Sequence, residues 1–420
     1  MRNGIIRAGL CAIFLAMAAA RGGQSPDEGQ LARFKEKVRQ DMASIPNYTC
    51  LETIERARRE SHSRNFKPGD TVRLEVSVVA GKELFAWPGS RQFEDRRVTA
   101  LVSSGTIGTG MFATFAQNLF VRGKGTLQNR GDESLDGRRA IRYDFHVTQQ
   151  ESGFRIQNRN TSEIVAATGS FWFDPTSLDL IRLDVYGDEM PYRLQLAEAV
   201  FRTFYARMHV GDSDALLPQR SEVTMASFSG EADRDAVEFS QCREYGSEST
   251  ITFDTPPPTP PEASTLRVRE VDLPAGLLVP VESDTAIDSQ TAAVGDPLHG
   301  RVLREVWSKG GLAVPHGAKI TGRICLLDRS TWSTPFALGI ELSEIEWEGA
   351  RATFYGELVD LDLPRVRIHH IDYTNTVLIN GEIPGVGIFY IDGPRFRIAP
   401  GFHMVWRTLA RPRNAVRKPR

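Results

Sequence analysis

The chain has 420 residues, with 51 Lys and Arg against 53 Asp and Glu, and 41% of its residues are hydrophobic. So even a charge balance excludes a protein held to a polyanion by bulk charge, and no nucleic-acid partner is expected. The apolar content is enough to bury two cores.

Met1 to Arg7 carries Arg2 and Arg7 but no acid, and an apolar run from Ala8 ends in Ala18, Ala19 and Ala20. This pattern predicts a signal peptide over residues 1–20, because the run is too short to cross a bilayer of roughly 30 Å as a helix. Cys11 lacks the flanking small and polar residues of a lipid-modified cysteine. The exported chain then carries 49 basic against 53 acidic side chains, with no further apolar stretch long enough to span a membrane.

A first unit is predicted over residues 21–254. Leu31, Phe34, Val38 and Met42 recur at helical spacing within Pro26 to Ala43 and predict one amphipathic helix. Beyond it the period drops to two. Val72, Leu74, Val76 and Val78 alternate with polar residues, as do Ile181, Leu183 and Val185, which predicts strands with one wet face. Phe171-Trp172-Phe173 and Leu178 to Val185 flank Asp174-Pro175-Thr176-Ser177, a turn sequence. A second helix, rich in aromatic residues, is predicted from Gly110 to Phe120.

Residues 255–265 contain Pro256, Pro257, Pro258, Pro260 and Pro261, which can neither pair in a sheet nor continue a helix. They predict a stiff spacer between units that fold separately. The second unit, residues 266–408, repeats one device: a proline and a glycine precede a short apolar strand at Pro274 and Gly276, Pro315 and Gly317, Pro384 and Gly385, and Pro400 and Gly401. This is the punctuation of a small all-β barrel or sandwich. Residues 409–420 form a basic tail that reads as a solvated terminus. The fold class expected is therefore α+β, mainly antiparallel β, with a curved sheet or half-barrel followed by a barrel.

Export leaves Cys50, Cys242 and Cys325. Cys50 and Cys242 lie in strand-like segments near the two ends of the first unit, so a disulfide between them would clasp the opening strand to the closing one. Their Cα atoms are expected about 4.4 to 6.8 Å apart. Cys325 reads as a small buried hydrophobe.

The search for chemistry finds no HExxH, GxSxG, SxxK or phosphate-binding loop, and no enzyme activity, metal or cofactor is predicted. Gly108-Thr109-Gly110-Met111-Phe112-Ala113 matches a dinucleotide fingerprint, but the strands after it predict antiparallel hairpins, so a glycine hinge capping a helix is expected. His369 and His370 are adjacent and point to opposite faces of a strand, which disfavours a shared metal ion. His299, His316, Asp360 and Asp362 read as surface residues.

Two resemblances follow. Leu273-Pro274-Ala275-Gly276-Leu277-Leu278-Val279-Pro280-Val281, with Ile287-Asp288-Ser289 and Val314-Pro315-His316-Gly317, resembles the β-barrel domain of TrbI-type scaffold proteins of type IV secretion, although this chain lacks that family's membrane helix. The first unit is similar to the periplasmic LolA and LppX lipid carriers and to the related domain of RseB, in its N-terminal helix, its long sheet and the hairpin that begins at Phe171-Trp172-Phe173-Asp174-Pro175. That likeness implies an acyl ligand held between sheet and helices but transfers no single residue; Met111, Phe112 and Phe115 of the aromatic-rich helix and Phe171 and Phe173 of the hairpin are the candidate contacts read from this sequence. The reading is a non-enzymatic protein of the periplasm or outside the cell that binds a lipid or lipoprotein, with the barrel as a docking module. Alternatives are a structural component of an envelope complex and an enzyme acting on envelope polymers.

Overall fold

The structure, a computed structural model, describes residues 26–79, 82–90, 93, 115–158, 161–245, 269–328, 336–362, 366–368, 371–373, 377–379, 383–391 and 395–411. The expected signal peptide, the Gly108 motif with Met111 and Phe112, the proline run, His369, His370 and the tail from 412 lie outside the described residues.

Helix α1, Pro26–Ser44, forms where the apolar spacing predicts it and stops just ahead of Pro46, which disfavours helical backbone at the residue before it. Phe34 and Val38 are buried, while Leu31 and Met42 pack partly buried beside them. Eleven strands follow: β1 Tyr48–Arg59, β2 Lys67–Val79, β3 Lys82–Ala86, β4 Thr126–Leu135, β5 Arg138–Val147, β6 Phe154–Asn158, β7 Thr161–Phe173, β8 Leu180–Asp188, β9 Leu196–Val210, β10 Ser213–Ser227 and β11 Ala232–Glu244. They make one curled antiparallel sheet in the order β3-β2-β1-β11-β10-β9-β8-β7-β5-β4, with β6 added on β7. The turn after β7 is the one the sequence predicts: the Asp174 carboxylate accepts the backbone N–H groups of Thr176 and Ser177 at 2.7 and 2.9 Å. Of the second predicted helix, the described part contains a short π-helical turn, α2, Gln117–Val121.

Because the chain meanders away from β1 and returns in β11, its first and last strands are neighbours, and Cys50 and Cys242 meet there in a disulfide. Their Cα atoms are 4.1 Å apart, below the expected range, since Cys50 sits at a register slip between adjacent antiparallel strands where the backbones approach closely. Cys325 is free and half-buried, not fully buried as expected, because it alternates with the core residue Ile324.

From Arg269 on, every described element is a strand. A ten-stranded sheet carries a core that includes Leu338, Ile340, Phe389, Phe402, Met404 and Trp406, and all its pairings are antiparallel except that of Arg269–Glu270 with Ala350–Thr353. The predicted turns are made by backbone that a side chain would strain: Gly276, Gly317, Gly385 and Gly401 have φ of 91°, 78°, 86° and 89°.

The two sheets touch. Thr71 to Arg73 lies on an edge of β2 that β3 does not cover, and Val294 docks there: Arg73 N–H donates to Val294 O and Val294 N–H donates to Thr71 O, both at 2.8 Å. Gly295 N–H then donates to Ile324 O of the second sheet, so backbone hydrogen bonds run from one sheet into the other. Arg73 fastens the joint by donating to both Asp296 oxygens at 2.7 Å and to Thr291 O at 2.9 Å. Gly295, at φ 101°, lies so near Arg73 O and the Trp87 ring that a Cβ would clash with both. One apolar cluster spans the joint, with Cys50, Ile54, Leu74 and Phe85 on one side and Val294, Leu298 and Ile324 on the other.

Candidate functional site

Strand alternation gives the first sheet two unlike faces, and the pairing registers trace each of them across the molecule. One row on the inner face reads Tyr143–Phe171–Leu183–Thr203–Ser221–Val237–Ile54–Val72. The row one residue away, on the outer face, reads Arg142–Trp172–Arg182–Phe204–Arg220–Glu238–Thr53–Arg73.

The outer row is a ladder of alternating guanidinium and ring. Arg142 and Arg182 lie 5.3 and 4.9 Å from the Trp172 ring, and Arg182 and Arg220 lie 5.2 and 3.9 Å from the Phe204 ring. Buried Asp184 is bound by Arg182 through both oxygens, at 2.7 and 2.6 Å.

The inner face begins as an aromatic surface. Phe171 and Phe173 are fully buried, and Phe34 of α1 stacks on them at centroid distances of 5.4 and 4.3 Å. Phe120 of α2 meets Phe34 and Phe171 edge-on at 5.2 and 4.9 Å, and Tyr143 stacks on Phe171 at 5.5 Å. Phe115 packs on Phe145 and Phe154 at 5.7 and 5.8 Å, and Phe154 on Phe201 at 5.3 Å. The predicted contacts Phe115, Phe171 and Phe173 thus belong to one cluster, closed over by helices. Phe34, Phe120, Tyr143, Phe154 and Phe201 complete it; Phe120 belongs to the aromatic helix the sequence predicts and Phe34 to the apolar face of α1, while sequence reading missed the part of Tyr143, Phe154 and Phe201.

The helix over this surface is held by side chains. Gln30 donates to Pro175 O at 3.3 Å, and Arg207 bridges Asp179 at 2.5 Å and Asp41 of α1 at 3.2 Å. Partly exposed pairs of this kind contribute roughly 0–1 kcal/mol each, so the stacked rings carry most of the attachment.

Midway along its inner row the sheet turns polar. Thr203 and Ser221 are buried side by side, and by alternation Tyr205, Asp235 and Glu52 share their face. Glu52 is 1% exposed, and among the described residues neither of its carboxyl oxygens has a hydrogen-bond partner; the buried hydroxyls of Tyr205 and Ser221 likewise have none there. Burial, reinforced by Glu83 and Asp235, holds the Glu52 carboxyl well above the ordinary carboxylate range. Burial also pushes Glu83 up to about 7. The phenols of Tyr48 and Tyr205 are raised by burial first, then by Glu83 and by Tyr48 respectively. No sequence motif marks this strip, because its members come from β1, β3, β9, β10 and β11.

His299 and His316 are exposed as expected, and so are Asp360 and Asp362. His316 lines a groove of about 920 Å³ in the second unit, with Lys319, Glu346 and Trp347. Among the described residues no group of three His, Cys, Asp or Glu is arranged to hold a metal ion, and no helix is long and apolar enough to cross a membrane.

No family model matches the chain, and no curated protein matches it in sequence. Among solved structures it is similar to a LolA superfamily protein from Nitrosomonas europaea, at 11% identity and a TM-score of 0.29, over 51% of this chain and 94% of that one. It is also similar to an outer membrane lipoprotein-sorting protein domain from Vibrio parahaemolyticus, at 11% identity and a TM-score of 0.27, over 51% and 92% of the two chains. A DUF1329 family protein from Desulfovibrio piger gives 13% identity and a TM-score of 0.27 over 53% and 95%. At such scores the likeness transfers no ligand.

Proposed function

We propose that this chain is an exported, non-enzymatic binding protein of the cell envelope that takes an apolar chain against the inner face of its first sheet, with the second unit as a docking module. The observation that carries the reading is the aromatic surface of Tyr143, Phe171 and Phe173, covered by α1 through stacked rings and a few exposed polar contacts. Lifting a helix held in this way uncovers a continuous apolar bed, whereas a helix tied in by backbone hydrogen bonds would not part from the sheet. Phe115 of the predicted set, with Phe34 and Phe120, would then touch the ligand or move aside for it. The disulfide between Cys50 and Cys242 suits an oxidising compartment outside the cytoplasm.

The test is to purify the chain from its native envelope, identify any lipid it carries by mass spectrometry, and titrate the stripped protein with a fluorescent fatty-acyl probe. Bound lipid and micromolar probe affinity are expected. Absence of both sinks the carrier reading.

An assembly role is favoured by a different observation. Trp307, 63% exposed, sits opposite Leu312, 47% exposed, on the hairpin Val306–Val314 of the second unit, a small apolar tip suited to a protein partner. Crosslinking in intact cells separates the two readings: a Trp307→Ser chain that loses its crosslinked neighbours but keeps its lipid assigns docking to the hairpin.

A further inference from the structure

A filled core is most apolar at its centre, and the inner face of the first sheet departs from that. Its central row runs from Tyr143, Phe171 and Leu183 through Thr203 and Ser221 to Val237, Ile54 and Val72, so a polar strip separates two apolar stretches. The strip is also unsatisfied: both Glu52 oxygens and the hydroxyls of Tyr205 and Ser221 are buried without a hydrogen-bond partner among the described residues. Buried polar atoms almost always have partners, and several such atoms on one face of a sheet call for water or for a ligand group that belongs there.

We infer that this strip receives the head group of the amphiphile whose chain lies on the aromatic bed, and that the head group donates hydrogen bonds and carries no negative charge. The inference rests on the carrier reading and names its ligand class. Position supports it: Thr203 is two strands from Phe171, about 10 Å at ordinary strand spacing, and two residues from Phe201 on the same face of β9. One molecule can therefore span rings and strip.

The chemistry selects the head group. Burial and the neighbouring Glu83 and Asp235 already disfavour negative charge on Glu52, and the same surroundings disfavour a buried phosphate, sulfate or carboxylate while an ammonium or a polyol suits them. Arg56, two residues beyond Ile54 on the Glu52 face of β1, could offset that preference, but it is engaged by Asp70 through both carboxylate oxygens. An ammonium would restore the charge on Glu52, while sugar hydroxyls could donate to Glu52 and exchange hydrogen bonds with Tyr205 and Ser221.

The test uses the full exported chain, stripped of lipid, and three probes that share a twelve-carbon tail, each below its micelle threshold: dodecylammonium, dodecyl maltoside and dodecyl sulfate. Calorimetry should show the first two binding at least tenfold tighter than the sulfate. Glu52→Leu, similar in size but without the carboxyl, should shrink the preference for ammonium over sulfate to under about threefold while the chain still binds. Ser221→Ala, a smaller change, reports on the strip if the Glu52 variant does not fold, and should weaken the maltoside and leave the sulfate unchanged. Equal binding of all three probes, or tightest binding of the sulfate, overturns the head-group assignment and leaves the carrier reading standing. No binding of any probe removes both. Persistence of the tenfold preference in both variants also overturns it.

Discussion

The inner face of the first sheet is covered at its two ends by different means. Over β5, β7 and β8 the cover is α1, attached by stacked rings and exposed polar side chains. Over β1 and β2 it is the second unit, attached by the backbone hydrogen bonds of Val294 with Thr71 and Arg73 and by the two-pronged Arg73–Asp296 pair. A cover held by side chains can leave as a unit. One that continues a sheet's hydrogen-bonding edge must break the ladder, so the first end is suited to opening and the second to staying closed.

The largest effect that would sharpen this contrast is expected at the ring-held end. Phe34→Ala removes the ring that stacks on Phe171 and Phe173, and should cost about 4 kcal/mol of stability by denaturant unfolding. If α1 is a separable cover, the same change should raise the binding of an environment-sensitive apolar dye well before global unfolding. Coincident dye and unfolding transitions would break the comparison.

The clasp comes next. Cys50→Ser together with Cys242→Ser opens a link between residues 192 apart in sequence, and should cost about 3 kcal/mol. The loss should fall on β1 and β11, read as faster hydrogen exchange there than in β7 and β8.

At the joint, Arg73→Ala strands a partly buried Asp296 and should cost about 2 kcal/mol. A protease site engineered between residues 255 and 265 makes the contrast visible. The two cut halves should co-elute in gel filtration, and should separate once Arg73→Ala is added. Halves that separate without the substitution would show the joint to be too weak to serve as the fixed end.

An effect no larger than that at the joint is a pH dependence. Burial raises the Glu83 carboxyl to about 7, so between about pH 4.5 and 7 the folded protein binds more protons than the unfolded chain, and stability falls as pH rises through that window. Above it the loss is complete and the curve is level. The fall should be about 2 kcal/mol, counting the partial solvent contact of Glu83. Glu83→Gln should flatten this part of a stability–pH curve measured with urea.

Much of the molecule is legible residue by residue. The 3.6-residue spacing of Leu31, Phe34, Val38 and Met42 placed α1, and the alternation in Val72, Leu74 and Val76 placed an inner face. Asp174 with Pro175 marked a turn, and the proline-glycine pairs marked others. These succeed because each depends on neighbours in sequence: a helix face, a strand face and a turn are set within a few residues. The pairing of Cys50 with Cys242 was reachable too, since a meander that closes on itself brings its ends together.

What the sequence did not disclose depends on contacts distant along the chain. The row that changes from Phe171 to Ser221 to Ile54 is assembled by strand register, and register across six strands follows from accumulated hydrogen-bond pairing that no local pattern carries. Glu52 reads locally as a polar residue in an alternating strand; only the sheet and its covers remove it from water and set Glu83 and Asp235 near it. Arg73 reads the same way, and becomes the fastener because Asp296, 223 residues further on, is brought to it. The sequence by itself determined the elements and their wet and dry faces, because those are local. Tertiary structure alone decided which faces meet and which buried oxygens are left without a partner, because burial and pairing are properties of the assembled fold.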